Sequence, residues 1–457
     1  MAPISHIKVI IVGAGVGGLT LGILLERANI AYEILEKHPT FNPMGSAICL
    51  VPSVQPLFQQ LGLLDEIKRL SKPFGEMVFR EENMSIMGKY SGRTPLDIKE
   101  RYGEYCQIIS RKDLCTLLAE QVPKSKIKYG KRVLEIRQNV GEVIIQCSDK
   151  STHHADILVG ADGPYSAARQ HLHNELNQKG LLSKHDSMPM RYQYDCIVGV
   201  TDPLDPNDFP ALCGDFSEFQ TVLSKDSSYS HWYIPLTGNK FSWMVVKYHD
   251  KGKKYAEDQI FKQSDWREDV AGLMAYDYRN LKTAYGCNLE YFMERTPRGS
   301  MAKVMLEEKY YKAWYGGRIV LAGDACHKVV PVGGQGANQA IHDVITLANQ
   351  LVTLESNSVP DIEKVFAAYY KDRSPIGKAV VQVSGRIGNI ANRKGWLNDL
   401  VRKAALRHTP RWLAQLMNDR MSYDRPQAEY LPFVKVGGTL QPKPQKPSAF
   451  IPFVNEP

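Results

Sequence analysis

The chain has 457 residues, of which 43% are apolar and 23% are charged, values typical of a packed globular protein. The chain is longer than a single minimal hydrophobic core requires. We therefore expect two domains, or one large domain with a second built into it. The 8 cysteines show no CxxC pair and no zinc-ligand spacing, which argues against a disulfide framework and against a structural metal, and favours a cytoplasmic location.

The net charge of +8 arises from 57 basic and 49 acidic residues, and the basic clusters are short. The cluster of Arg402, Lys403, Arg407 and Arg411 is interpreted as a solvated face, because a nucleic-acid footprint needs a longer basic stripe with aromatic residues between the charges. No apolar run approaches the length of a membrane span. We therefore expect neither a nucleic-acid partner nor a membrane-spanning segment.

The start of the chain predicts a strand, a helix and a second strand. Residues 7–12 form a short apolar run, glycines follow, and Leu21, Leu24 and Leu25 then have helical spacing. Residues 31–35 have the pattern of the second strand. This order of elements is the βαβ unit in which nucleotide-binding turns occur.

A GxGxxG sequence lies between the first strand and the helix, and Glu36 ends the second strand. In this motif Gly13 makes the tight turn, Gly15 lets the backbone approach a pyrophosphate, and Gly18 allows close packing of helix on strand. Glu36 can accept from ribose hydroxyls. A lone GxGxxG is weak, but here strand, helix and acidic residue are in order, so we predict a dinucleotide site for FAD or NAD.

Two later segments each end a short apolar strand with an acidic residue. Residues 155–169 place Asp162 in an Asp-Gly turn, and residues 317–327 place Asp324 in a Gly-Asp turn. Doubly wound folds bind ligands at such carboxyl ends of strands. Residues 331–338 then form a glycine-rich loop that opens a helix, where free backbone amides favour an anion.

The middle of the chain predicts an antiparallel sheet over roughly 175–300. Residues 192–200 alternate as a half-buried strand does, and residues 231–235 and 241–248 flank a turn typical of a hairpin. The remainder predicts helices, with an interruption near Ser374–Pro375, and the prolines after residue 432 predict an extended tail that lies on the body.

Taken together, these segments resemble the FAD-dependent aromatic hydroxylase type of flavoprotein monooxygenase, the single-component class that includes p-hydroxybenzoate and salicylate hydroxylases. The resemblance extends from residue 7 to about 352 and depends on the glycine motif, the Asp-Gly segment and the Gly-Asp segment in the family's order. Within this family, residues 194–199, 323–328 and 431–433 are most similar to fungal epoxidases and hydroxylases of indole-diterpene, meroterpenoid and prenylated-indole pathways.

The resemblance implies an α/β fold, with a Rossmann-type FAD-binding domain, an inserted antiparallel-sheet substrate domain and C-terminal helices. On this basis we expect the FAD-binding domain over residues 1–174 and 301–355 and the substrate domain over 175–300. The C-terminal helices are expected over 356–431 and a proline-rich tail over 432–457.

The activity implied by the resemblance is monooxygenation in secondary metabolism. It uses non-covalent FAD, NAD(P)H as co-substrate and O2, and transfers oxygen through a flavin 4a-hydroperoxide. The expected partner is a small lipophilic or aromatic substrate, either an alkene that is epoxidised or an electron-rich aromatic or indole that is hydroxylated.

The family's cofactor residues are carried over by position. Glu36 is expected to hold the adenosine ribose, Arg111 to contact the pyrophosphate and ribose side, and Asp324 to bind the ribityl chain. Asp162 is expected to serve FAD and the passing nicotinamide cofactor, and His327 to pack under the flavin loop. The other expected cofactor contacts lie in the glycine turn, beside Glu36, in the flavin loop of residues 45–52 and at the following helix start: Gly13, Gly15, Gly18, Lys37, Ala47, Cys49, Gly334, Gly336, Ala337 and Asn338.

The catalytic candidates are Arg191, Tyr194 and Asp195, at the start of the alternating strand. Strict alternation puts Arg191 and Asp195 on one face and Tyr194 on the other. If the first face meets the substrate, Arg191 could anchor a carbonyl or anionic group or assist epoxide collapse, and Asp195 could pair with it or act as a base. The same pattern is explained equally well if Arg191 and Asp195 lie at the protein surface on an edge strand. Met44 stands where many of the fungal relatives carry an acidic residue, and Asp195 stands where some carry a basic one. The substrate and the identity of any catalytic acid or base therefore stay open.

Two other functions remain open at this point. One is a flavin-dependent reductase or oxidase of the same fold, which oxygen incorporation from labelled dioxygen would distinguish. The other is a non-catalytic carrier of the GDP-dissociation-inhibitor type, which would purify without flavin colour.

Overall fold

A computed structural model of the chain describes residues 7–90, 94–225, 228–248, 276–330, 334–392 and 410–446. The described strands, in chain order, are β1 (Lys8–Val12), β2 (Ala31–Leu35), β3 (Ala47–Leu50), β4 (Ser71–Glu81), β5 (Ile86–Tyr90), β6 (Gln107–Ser110), β7 (Ile127–Lys128), β8 (Val133–Gln138), β9 (Val143–Cys147), β10 (Thr152–Ala155), β11 (Ile157–Gly160), β12 (Arg191–Val200), β13 (Ser217–Leu223), β14 (Tyr229–Leu236), β15 (Lys240–Tyr248), β16 (Ala302–Tyr310), β17 (Tyr315–Gly316), β18 (Ile319–Leu321) and β19 (His327–Lys328).

The described α-helices are α1 (Val16–Arg27), α2 (Gln55–Gln60), α3 (Leu64–Arg69), α4 (Pro95–Tyr102), α5 (Arg111–Glu120), α6 (Ala167–Gln178), α7 (Lys184–Ser187), α8 (Leu289–Glu294), α9 (Gln335–Leu351), α10 (Val359–Asn392) and α11 (Arg411–Ser422). None of these helices is both long enough and apolar enough to cross a membrane.

The first sheet has six strands in the order β17-β18-β11-β1-β2-β7, and all neighbours except β17 and β18 are parallel. The β-branched residues Val9, Ile10 and Ile11 are completely buried, as expected for a parallel strand covered on both faces. Helix α1 returns the chain from β1 to β2, so the predicted βαβ unit is confirmed. The strands β8, β9 and β10 form a separate three-stranded sheet.

The second sheet has the strand order β19-β16-β12-β15-β14-β13-β4-β6-β3, and β5 pairs with β4 at its side. Its neighbours are antiparallel except β4 and β13, which run parallel. The hairpin of β14 and β15 is confirmed, and it turns through Gly238 and Asn239, both with positive φ. The segment 175–300 supplies β12 to β15, but the sheet also takes strands from residues 47–110 and 302–310, which sequence alone assigns to the FAD-binding part.

The second sheet has two differently packed faces. On the far face, aromatic side chains including Phe209, Phe241 and Phe292 form a closed cluster. On the near face, Tyr194, Cys196, Val198, Val246 and Leu306 pack together and meet residues from the loops of the first sheet.

Helix α10 is continuous through Pro375, so the predicted interruption near Ser374–Pro375 is wrong. A proline inside a helix costs about 3 kcal/mol because it removes one backbone hydrogen bond. Here Arg373, two residues before the proline, makes buried bonds of 2.8 Å to Asp343 and 2.7 Å to Gln339 on α9. These bonds hold α10 against α9 at the position where the proline would otherwise break it.

The described part of the C-terminal tail, residues 432–446, lies along α4 as an extended strap, and residues 447–457 lie outside the described residues. The backbone amides of Thr439 and Leu440 donate to the carbonyls of Glu100 and Arg101. The buried guanidinium of Arg425 donates to the carbonyls of Tyr102, Gly437 and Leu440, and thereby joins α4 to the tail.

Candidate active site

The glycine turn between β1 and α1 leaves part of its backbone open to a ligand. Gly13 has a φ of +102°, and a Cβ there would lie 2.6 Å from the Ala161 carbonyl oxygen, so glycine is required. A Cβ at Gly18 would collide with the Gly13 carbonyl oxygen, whereas no atom lies within 4 Å of one at Gly15. The turn is therefore tightly packed at its two ends and open between them, which suits a pyrophosphate.

Glu36 lies at the end of β2 and faces this turn. One carboxylate oxygen accepts from the Ala14 amide at 2.9 Å and the other from the His38 amide at 2.9 Å. Each oxygen keeps a second lone pair that could accept from a ribose hydroxyl. The neighbouring Lys37 is exposed.

Arg111 is placed by a glycine in the loop before β3. Gly45 has a φ of +135°, and a Cβ there would lie 2.5 Å from Arg111 Cδ. The Arg111 amide donates to the Ser46 carbonyl at 2.9 Å, while Ser110 caps α5 through the Asp113 amide. The arginine stem therefore passes directly over the loop that leads into Ala47 and β3.

Asn338, on the first turn of α9, ties this helix to β3. Its side-chain amide donates to the carbonyls of Cys49 and Gly334, both at 2.7 Å, and its oxygen accepts from the Val51 amide. Gly334 has a φ of +64° and approaches Cys49 so closely that a Cβ there would lie 3.2 Å from the cysteine Cβ. The Asn338 side chain thus fixes the loop geometry, and the start of α9 at Gly336 and Ala337 is held next to β3.

Asp162 follows β11 and retains one unused acceptor. Its Oδ2 accepts from the amides of Ala167 and Ala168 at 2.7 and 3.3 Å, which caps α6. Its Oδ1 is buried and has no hydrogen-bond partner among the described residues. Burial raises the pKa of this carboxyl. Arg169 donates to the carbonyls of Pro164 and Ala325, and so joins the Asp-Gly segment to the Gly-Asp segment.

Asp324 follows β18 and faces the start of α9. A Cβ at Gly336 would lie 3.8 Å from its Oδ1, and its Oδ2 accepts from Lys328 Nζ at 2.8 Å. Asp162 and Asp324 therefore end two hydrogen-bonded neighbouring strands, as the sequence segments imply.

A buried ionic network beneath the Gly-Asp turn was not identified from the sequence. Asp343 on α9 accepts from the Gly323 amide at 2.9 Å, from His327 Nε2 at 2.6 Å and from Arg373 Nε at 2.8 Å. Burial alone would raise the pKa of the Asp343 carboxyl, but the charges of His327 and Arg373 lower it to about 2. The sequence signal that could have indicated this network is Asp343 itself, an acidic residue within the apolar helix pattern of α9.

The same network brings ligand atoms of Cys326, His327 and Asp343 within 4.8 Å of one another. Both oxygens of Asp343 are already bonded, and the Arg373 guanidinium would repel a cation placed beside them. The cluster is therefore best described as a hydrogen-bonded support for the turn that carries Asp324.

The near face of the second sheet packs against Met44, which directly precedes the flavin loop of residues 45–52, and against Val330, which follows β19. Its half-buried members include Trp232, Met244 and Tyr248, and they belong to one apolar cluster with Tyr194 and Met44. The hydroxyls of Ser46 and Ser242 are in hydrogen-bond contact, which fixes the loop against β15. An apolar and aromatic surface thus faces the loops that carry the expected cofactor residues.

The three catalytic candidates do not occupy one face. Tyr194 lies on the near face, 5.5 Å from Tyr248 between ring centroids in an edge-to-face contact. Asp195 points to the other side of the strand and pairs with Lys303 at 3.7 Å. A bulge between Tyr192 and Tyr194 interrupts the alternation, so the expected shared face of Arg191 and Asp195 does not follow. The side chain of Arg191 lies outside the described residues, while its backbone pairs with Glu308.

Comparison with known proteins shows the family of the chain. Residues 6–270 and 281–384 match the FAD binding domain family. The chain is 30% identical over 364 residues to the FAD-dependent monooxygenase nvfK of Aspergillus novofumigatus, covering 78% of this chain and 73% of that protein. It is also 30% identical over 373 residues to the FAD-dependent monooxygenase ausM of Penicillium brasilianum, with 79% and 73% covered.

Solved structures share the fold. The Klebsiella pneumoniae HpxO complex with FAD and uric acid superposes with a TM-score of 0.71 at 19% identity, covering 92% of this chain and 97% of that one. The 2,6-dihydroxypyridine-3-hydroxylase of Arthrobacter nicotinovorans superposes with a TM-score of 0.66 at 16% identity, covering 86% and 95%.

The two sheets, the glycine turn and the paired strand-end carboxylates define a flavoprotein with a Rossmann-type nucleotide-binding part. The chain belongs to the FAD binding domain family and is an FAD-dependent monooxygenase. The residues present fit the cofactor, because Asp162 Oδ1 is a buried acceptor without a described partner and the turn at Gly15 is open.

Proposed function

We propose that this enzyme consumes NAD(P)H and O2 to epoxidise or hydroxylate a lipophilic alkene or an electron-rich aromatic or indole in secondary metabolism. The observation that carries this proposal is the near face, where Tyr194, Trp232, Met244 and Tyr248 present aromatic and apolar surface beside the flavin loop. A surface of this composition favours substrates with few charged groups.

FAD would bind at the carboxyl ends of the first-sheet strands β1, β2, β11 and β18. Glu36 would bind the adenosine ribose, Arg111 the pyrophosphate side, Asp324 the ribityl chain, and the backbones of Cys49 and Ala337 would flank the ring system. Bound FAD would supply the redox chemistry that activates dioxygen. The amides at the start of α9 would favour negative charge on the ring's adjacent side.

The protein's part in the reaction is to position the substrate and to exclude water. Tyr194 is the catalytic candidate whose side chain lies on the near face, so we assign it a substrate-contacting role. We assign Asp195 a structural role, because it pairs with Lys303 on the opposite side of β12. Arg191 remains a candidate from its position at the start of that strand.

NAD(P)H is proposed to bind transiently. In the described part of the chain, β1 to β2 is the one strand-helix-strand unit that carries a GxGxxG turn followed by a strand-end acid. The free Oδ1 of Asp162 is the acceptor that could serve the visiting cofactor. A cytoplasmic location is proposed as well, because all 8 cysteines are unpaired.

The test combines two measurements on the FAD-loaded enzyme with a panel of terpenoid, indole and phenolic compounds. Anaerobic flavin reduction by NADH and NADPH should accelerate with compounds that bind the near face. The product formed under ¹⁸O2 should then carry one labelled oxygen atom. Flavin reduction by neither nicotinamide cofactor would refute NAD(P)H use, and products without label would indicate a reductase or oxidase.

A further inference from the structure

Two cysteines lie side by side where the flavin loop joins the second sheet. Strand β3 is an edge strand of that sheet, and Cys49 pairs with Ile108 on β6. Cys106 precedes Ile108 by two residues, so the side chains of Cys49 and Cys106 lie on one face of the paired strands. The extended backbone continues through Cys106, because its carbonyl accepts from the Phe74 amide at 2.8 Å.

The two thiols are hydrogen-bonded to each other. The pKa of the Cys106 thiol is raised, first by this hydrogen bond with Cys49 and then by burial. Cys106 therefore keeps its proton at neutral pH and shares it with the Cys49 sulfur. Both residues are partly exposed, whereas Cys115, Cys196 and Cys326 are buried, so a small oxidant can reach this pair more easily.

The position of Cys49 is coupled to the loop geometry around the flavin site. Its carbonyl accepts from the Asn338 side-chain amide at 2.7 Å, and a Cβ at Gly334 would lie 3.2 Å from the Cβ of Cys49. Cys49 is thus packed between the start of α9 and β6. A covalent bond that draws its sulfur toward Cys106 would move Cys49 away from Gly334 and lengthen the hydrogen bond from Asn338.

We propose that Cys49 and Cys106 form a site of reversible thiol oxidation beside the flavin loop, with hydrogen peroxide as the oxidant. In the first step the Cys49 sulfur attacks one peroxide oxygen, an S–O bond forms as the O–O bond breaks, and the thiol proton leaves with the other oxygen as water. In the second step the Cys106 sulfur attacks the Cys49 sulfur, an S–S bond replaces the S–O bond, and a second water leaves.

The electrons balance over these two steps. Two electrons pass from the pair of sulfurs to hydrogen peroxide, and two equivalents of a small thiol return them. Uncoupled turnover of the enzyme would supply the peroxide next to the pair. Oxidation of Cys49 and Cys106 would then slow the enzyme that releases it. This inference goes beyond the function proposed above and does not depend on the substrate.

The test uses the full chain loaded with FAD, reduced with dithiothreitol and freed of the reductant. After treatment with hydrogen peroxide, the remaining thiols are alkylated and the digest is analysed by mass spectrometry. We expect a peptide that contains Cys49 linked to one that contains Cys106, and dithiothreitol should separate them. Affinity for FAD, measured by fluorescence, should fall roughly threefold to tenfold on oxidation, as loss of one hydrogen bond predicts, and recover on reduction.

Cys106→Ser removes the partner sulfur and keeps Cys49. Peroxide should then leave Cys49 as a sulfenic acid that dimedone traps, and FAD affinity should not fall. Flavin content before oxidation verifies that this variant folds. The matched control is Cys213→Ser at an exposed site, which should form the same linked peptides as the original chain.

Two outcomes would overturn the proposal. The first is that peroxide leaves Cys49 and Cys106 unlinked in the original chain, since the two thiols would then only pack together. The second is that the linked form binds FAD as tightly as the reduced form does. Neither outcome depends on how the variants fold.

Discussion

At the scale of single residues, Asp162 and Asp324 differ in how far the protein itself uses them. Asp162 caps α6 through two amides, whereas Asp324 pairs with Lys328 and faces the start of α9. The sequence places both at strand ends, but their different local partners depend on helix packing that no sequence motif describes.

Substituting Asp324→Ala should therefore weaken FAD binding more than Asp162→Ala does. Loss of a charge-assisted hydrogen bond costs about 1.5–3 kcal/mol, or roughly tenfold or more in affinity. Asp162→Ala should mainly lower the thermal midpoint, since it removes a helix cap. Flavin fluorescence titration of the apoproteins measures the first effect, with Asp361→Ala, at a half-exposed position in the first turn of α10, as control. Equal FAD affinities in the two variants would contradict this division.

Glu307 is a second residue that sequence reasoning did not select. It lies on β16 and is completely buried, with Tyr165, Lys328 and Arg169 as its polar neighbours. Burial raises the pKa of this carboxyl to about 7. The signal in the sequence, Glu307 next to Glu308 in a strand, does not tell which of the two faces inward.

This pKa predicts how stability depends on pH. Between the ordinary glutamate value and about 7, the folded chain holds a proton that the unfolded chain has released, so stability falls as pH rises through that window. Glu307→Gln cannot ionise, so its thermal midpoint minus that of the original chain should increase from about pH 5 to about pH 8. The control, Glu355→Gln at an exposed site, should show no such trend. A constant difference for Glu307→Gln would exclude the raised pKa.

At the scale of elements, strand patterns were easier to predict than strand faces. The hairpin of β14 and β15 follows from alternation and turn residues. The register of Arg191 relative to Asp195 does not, because a bulge between Tyr192 and Tyr194 interrupts the alternation. Likewise, Pro375 in α10 predicts an interruption of the helix, because the buried contact of Arg373 with Asp343 is not visible in the sequence.

The near face supplies a prediction about coupling. Trp232 donates to Ser230 Oγ at 3.2 Å and packs 5.2 Å from the Phe219 ring. Trp232→Ala should leave FAD content unchanged but lower product per NAD(P)H by roughly tenfold, with hydrogen peroxide released instead, because a poorly positioned substrate reacts less often.

Product yield and peroxide are measured together against NAD(P)H consumed. The control is Tyr291→Ala, which removes an aromatic ring packed against the far-face cluster. If Trp232→Ala couples as well as the control, the substrate does not lie against the near face.

At the scale of the whole molecule, the sequence predicts an FAD-binding part and a substrate part. It does not predict which distant segments of the chain pair in the second sheet. Parallel pairing of β4 with β13 joins residues 71–81 to residues 217–223. Neither strand carries a signal for this partner, because pairing between strands far apart in the sequence depends on the assembled sheet. The tail illustrates the same limit, since its prolines predict extension but not contact with α4.

Removing the tail after Val434 should destabilise the whole protein. The buried Arg425 guanidinium would lose its acceptors at Gly437 and Leu440, and an unsatisfied buried cation is costly. We expect the thermal midpoint to fall by a few degrees, measured by intrinsic flavin fluorescence. Lys443→Ala is the control, because it keeps the backbone contacts. An unchanged midpoint in the truncated chain would show that water replaces the lost acceptors.

The position of β18 in the first sheet has a consequence for biosynthesis. This strand pairs with β11, which pairs with β1, so residues 319–321 complete a sheet whose central strand begins at residue 8. Asp324 and α9 follow still later in the chain. A nascent polypeptide therefore cannot assemble the flavin site until about three-quarters of it has left the ribosome, and its apolar strands must be shielded, by chaperones or by neighbouring helices, through most of translation.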